Sequence, residues 1–124
     1  MTRAFLVAVG LIFAAYGAAC AIDPALPARL AGLAITNGDG YAELAAMYGG
    51  LQSGVGLFLV IAAFRPALTH AALLLLVVGI GLLAVLRGAG ALRAEDPVTA
   101  YTWGALAFET LVTAIAAALL NRRG

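Results

Sequence analysis

The chain has no lysine, and among its 124 residues only one cysteine, one histidine, one serine and one tryptophan. A single cysteine, Cys20, has no partner for an internal disulfide, so redox compartment is not readable. One histidine, His70, and one cysteine, expected on opposite sides of a membrane, cannot build a zinc or haem site, so no metal and no cofactor is expected. Ser53 and His70 are likewise expected at different depths, which removes a serine–histidine–acid triad and leaves no catalytic set. Seven arginines stand against six acids, for a net charge of +1, and that balance carries no footprint for nucleic acid. Charge of either sign is scarce, at 10% of residues, where a soluble domain carries about 25%.

What fills the chain instead is apolar: 65% of residues are hydrophobic, against roughly 45–50% in soluble domains. A soluble fold of this length leaves about a third of its unfolded surface exposed, and lipid is the solvent that tolerates such exposure. Four apolar stretches run at about 4–22, 42–64, 67–87 and 98–120. Each is roughly 20 residues, the length a helix needs to cross about 30 Å of hydrocarbon. The alternation of a membrane β-strand is absent. The expected fold is therefore all-α: a polytopic membrane protein with four transmembrane helices in one bundle and a single domain over 1–124.

The connections fit. Pro24 and Pro27, then Asn37, Gly38 and Gly40, interrupt the chain between the first two spans, with a short interfacial helix expected over 28–35. Arg65-Pro66 tightly links the second and third spans, and Asp96-Pro97 resembles a helix start before the fourth. With the N-terminus inside, Arg3, Arg65, Arg122 and Arg123 share the inner side with no acid. The outer side then holds Arg29, Arg87 and Arg93 among Asp23, Asp39, Glu43, Glu95 and Asp96, so arginine bias favours both ends inside. The first stretch also ends in Gly17-Ala18-Ala19-Cys20, similar to a lipoprotein cleavage site, but Gly17 stands where a larger aliphatic residue is usual; a retained span is expected.

The most distinctive stretch runs from Glu43 through Met47-Tyr48-Gly49-Gly50 and Gln52-Ser53-Gly54 to Gly56 and Phe58. Together with the loop before it, Arg87 closing the third span and Glu109 within the fourth, it resembles an uncharacterised bacterial four-helix membrane family, domain of unknown function 4345, over nearly the whole chain. The family pattern usually carries an arginine just before Met-Tyr-Gly-Gly, where this chain has Ala45-Ala46. More loosely, the chain is similar to the DoxX-like small quinone-linked membrane proteins. The resemblance implies a four-helix fold in a bacterial inner (cytoplasmic) membrane, and neither family implies a reaction.

Glu109 is the most informative residue. It lies about eleven residues, roughly 16 Å, into the fourth span, where a carboxylate must face the protein, find a partner or stay protonated. Thr102 and Thr113 share its helix face. On the second span, Tyr41, Ala45, Tyr48 and Gln52 form a stripe by spacing, with Gln52 at a depth close to that of Glu109. Arg87 either reaches inward to Glu109 or snorkels outward. Glu109, Gln52, Arg87 and Tyr48 are thus the candidates for a ligand or proton site, against a reading in which they only hydrogen-bond helices into register. Gly50 and Gly54 make a small-xxx-small pattern and Gly49, Ser53 and Gly56 a second small face, both suited to helix packing within one chain or across a homodimer. Tyr101 and Trp103 read as an interfacial aromatic belt.

Three functions follow. The first is a protein that binds or carries a small hydrophobic or amphipathic ligand, lipid- or quinone-like, in a cavity near Glu109. The second is a structural or assembly subunit packing against partner helices. The third is a small proton-coupled transporter, although four-helix drug exporters usually place their essential acid in the first span, which here has none. An enzyme using Arg87 and Glu109 on a lipidic substrate has no support in the residues. The partners expected are the lipid bilayer, a second copy of the chain and the small ligand, and no nucleic acid.

Overall fold

Asn37 shows how local chemistry sets the helix limits. Its side-chain Oδ1 accepts the Gly40 amide at 2.9 Å and caps a helix that the sequence reading starts at residue 42. In the computed structural model, which describes residues 1–122, every regular element is helical and no strand is present among those residues. Arg123, counted above with the inner-side arginines, lies outside the described residues. The elements are α1 (Thr2–Ile22), the short α2 (Leu26–Ala31), α3 (Gly38–Ala63), α4 (Pro66–Arg93) and α5 (Ala100–Asn121). All but α2 are long and apolar enough to cross a membrane.

Two helices depart from uniform α geometry. α3 is π-helical over Ala45–Leu51 and α4 over Leu76–Ile80. α4 also continues to Arg93, where the sequence reading ends it at Arg87. No proline follows Arg87 to stop it, and Gly88 and Gly90 are tolerated there at modest cost. Its 28 residues reach about 42 Å. α5 begins at Ala100 rather than Val98, with Thr99 extended as its N-cap.

The chain divides into two compact units at residues 66 and 67. In the first, α1 and α3 run antiparallel and touch backbone to backbone. A Cβ built on Gly17 would collide with the Ser53 backbone, and one on Gly56 with the backbone of Ala14. A Cβ on Gly10 would lie 2.9 Å from the Gly56 carbonyl oxygen, and one on Gly49 3.0 Å from the Ala21 Cα. Lipid provides no hydrophobic force between helices, so this close van der Waals fit holds them. The seam uses Gly49, Ser53 and Gly56. Gly54 has nothing within 4 Å, and Gly50 meets only the Ala45 carbonyl of its own helix, so those two lie off the packing face. The reason is rotation: one residue along a helix turns a side chain by about 100°. At one end of this hairpin the Arg3 guanidinium sits 4.1 Å from the centre of the Phe64 ring, a cation–π contact.

The link between α1 and α3 is shorter in its helix than expected. Pro27 sits in the first turn of α2, and Gly32, at φ 70°, ends it in the left-handed conformation that glycine adopts freely. Asp23 accepts a hydrogen bond from the Ala25 amide at 3.2 Å and pairs with Arg29. The Arg29 hydrogen bond is the main cause holding the Asp23 carboxyl below its usual range.

In the second unit α4 and α5 run antiparallel. A Cβ on Gly81 would lie 3.0 Å from the Thr113 Cγ2, and one on Gly88 3.7 Å from Leu106. Gly79 meets only Leu75 of its own helix, so Gly81 and not Gly79 is at the packing face. Buried α5 residues Glu109, Val112, Ala116 and Leu119 follow the helical period and form its inward stripe.

Candidate intramembrane ion-pair site

Small residues come first in this site. Gly81, buried Ala84 and Gly88 bring the α4 backbone close to α5, and the Arg87 side chain spans the remaining gap. Its Nε donates to the Glu109 carboxylate at 3.0 Å to Oε1 and 2.8 Å to Oε2, and its Nη2 donates to Oε1 at 2.7 Å. This is the planar fork that guanidinium offers a carboxylate, stronger and more directional than a lysine contact. Of the two positions open to Arg87, the inward one is adopted.

Depth makes the pair unusual. Arg87 lies six residues, about 9 Å, before the end of α4, and Glu109 nine residues, about 14 Å, inside α5. The extension of α4 to Arg93 is what moves Arg87 from a helix end into a span. An isolated charge there is costly, and a fork that satisfies both groups offsets much of that cost. The exposure of the two side chains is unequal: 26% for Arg87 and 7% for Glu109. The Glu109 side chain is buried, and the Arg87 side chain is the more accessible of the two.

Thr113 sits one turn beyond Glu109, and its Oγ1 donates to the Glu109 backbone carbonyl at 2.8 Å. That bond occupies the hydroxyl within its own helix, so Thr113 serves the α5 backbone. Thr102 is half-buried two turns earlier. Among the described residues Arg87 is the only hydrogen-bond partner of the Glu109 carboxylate.

The other candidates belong to the first unit. Tyr48 and Gln52 are half-buried, and Tyr41 is 49% exposed. The stripe through Tyr41, Ala45, Tyr48 and Gln52 assumed a constant α rotation. The π segment over Ala45–Leu51 turns through less per residue, so constant α spacing does not describe the row across it. Nothing in the sequence announced that segment, although Gly49-Gly50 within it lower the cost of irregular helix. Ser53 is taken up in the α1–α3 seam. His70 is exposed near the start of α4, while Tyr101 and Trp103 sit in the first turn of α5. No three histidine, cysteine or acidic side chains cluster among the described residues. A shallow open groove lies along α1, lined by Met1, Arg3, Ala4, Val7, Ala8 and Leu11, and it contains none of the candidate residues.

Against known families, residues 1–120 match the family described as Domain of unknown function (DUF4345). No curated protein and no solved structure matches the chain.

Proposed function

This chain belongs to the DUF4345 family, and we propose that it is a small multi-span membrane protein that holds a small hydrophobic or amphipathic ligand, lipid- or quinone-like, with the ligand's polar head at the Arg87–Glu109 pair. The bilayer is its medium, as four apolar helices of spanning length require. The membrane is the bacterial inner (cytoplasmic) one, with both chain ends inside.

The observation that supports ligand binding is the unequal burial of an ion pair at membrane depth. An acid and a base within spans commonly mark a substrate or proton path. A pair that served packing alone has no need to leave a quarter of its arginine side chain accessible. The second reading is structural, and the three hydrogen bonds that satisfy the carboxylate favour it. There, the fork fixes the register of α4 against α5 and nothing binds.

Native mass spectrometry of mildly extracted protein separates the two. The binding reading expects a stoichiometric adduct, of whatever class, on the wild type and its loss from the Arg87→Gln/Glu109→Gln double variant at matched helicity. Clean protein without adduct in both would overturn binding and leave the pair as a register lock.

A further inference from the structure

The occupied fork contains information about what could replace it. Resting on the ligand-binding reading above, we infer that the ligand is a carboxylic acid with an apolar tail, and that it binds by taking the place of the Glu109 carboxylate on Arg87. Glu109 is then an internal competitor, holding the anion site filled until the ligand arrives.

Charge bookkeeping selects this class. At membrane depth every charge needs a counter-charge, since an unpaired one is strongly disfavoured. A cationic ligand pairing with Glu109 would leave Arg87 without its carboxylate. A neutral ligand such as an ester or a quinone would accept one hydrogen bond from Arg87 but supply no anion. Of these three classes, only a carboxylic acid permits a complete exchange. The acid's proton passes to a Glu109 carboxylate oxygen, and the ligand's two oxygens take over the Nε–H and Nη2–H donors. One O–H bond breaks, one forms, and the site keeps one cation and one anion throughout. An acid arriving already ionised from water needs one proton from solution to complete the same exchange.

Accessibility points the same way. The Arg87 side chain is 26% exposed and the Glu109 side chain 7%, so an incoming head meets the arginine side chain first. A planar two-oxygen anion matches the guanidinium fork and is chemically the same as the Glu109 head already bound. His70 and Arg93 lie near the two ends of α4, Tyr101 lies at the start of α5, and none of them hydrogen-bonds Glu109.

The test measures binding of palmitic acid, methyl palmitate and hexadecyltrimethylammonium to the full chain in nonionic micelles, by calorimetry in two buffers of different ionisation enthalpy. The acid should bind one per chain, with net proton uptake at a pH where it is ionised, and the ester and the ammonium at least about tenfold more weakly. Glu109→Gln removes the competitor, so the acid should bind about tenfold tighter and without proton uptake; Arg87→Gln should abolish its binding. Equal binding of acid and ester, or weaker acid binding by a folded Glu109→Gln protein, would overturn the exchange. If either variant fails to fold, the selectivity and proton count of the wild type decide alone. An adduct of another class in the mass spectrum would overturn this inference and leave ligand binding standing; no adduct and no acid binding would remove both.

Discussion

At the scale of single residues the fork makes a sharp, asymmetric forecast. Arg87→Leu leaves the buried Glu109 carboxylate with no donor among the described residues. Breaking a buried pair from one side costs about 3–5 kcal/mol, whereas replacing both members with apolar residues is often close to neutral. The expected pattern in micelle unfolding is therefore a large loss for Arg87→Leu and recovery of most of it in Arg87→Leu/Glu109→Leu. Glu109→Gln should fall between them, because the amide oxygen still accepts from the guanidinium. A double-mutant cycle gives the coupling directly. A single-variant loss under about 0.5 kcal/mol, the scale of ordinary surface changes, would show that the fork does not hold the hairpin.

At the scale of helices, the α1–α3 seam separates two kinds of glycine that look alike in sequence. Gly56→Leu drives a side chain into the Ala14 backbone and should cost about 1–3 kcal/mol or more. Gly54→Leu, two residues earlier, meets nothing within 4 Å and should stay within about 0.5 kcal/mol. Thermal unfolding of the two variants checks this, and equal losses would place the seam elsewhere. The π segment of α4 makes a second forecast. A π turn holds an extra residue while leaving the flanking α segments in phase. Deleting Val78 should return Leu76–Ile80 to α geometry and keep Arg87 aimed at Glu109. Deleting Leu83 instead should turn Arg87 by about 100° away from α5. Loss of stability in the Leu83 deletion alone is the expected result, and equal loss in both would deny the π segment its phase-keeping role. These elements also mark what the sequence could tell. The spans were legible because lipid demands about 20 apolar residues each, and Glu109 was legible because an acid within such a run needs a partner. Arg87 was found but placed at a helix end, since its charge closes the apolar run while the helix itself continues to Arg93. The π segments were not legible, because no residue type requires them. The choice of Gly49 over Gly50 was not legible either, since it depends on a rotation that the π geometry alters.

At the scale of the whole molecule, orientation is the property that the ion pair changes most. Counting loop arginines from the sequence gives four against three, a weak bias. The rule concerns charges near the ends of spans that must stay on one side. Arg87, placed inside α4 and neutralised by Glu109, is no longer such a charge. The comparison becomes Arg3, Arg65, Arg122 and Arg123 against Arg29 and Arg93, and Arg29 is itself paired with Asp23. Four spans, each crossing once, would return the chain to its starting side, and the arginine bias then predicts all four of the first group on the cytoplasmic side. Fusions at the C-terminus report this directly: green fluorescent protein should fluoresce and alkaline phosphatase should stay inactive. Restoring an outer charge by Glu109→Leu, which removes the carboxylate from Arg87, should move a measurable fraction of molecules to the opposite orientation. Comparable activity of both reporters on the wild type would instead mean that the chain inserts both ways. In that case the fork serves the hairpin without biasing the side on which the chain ends.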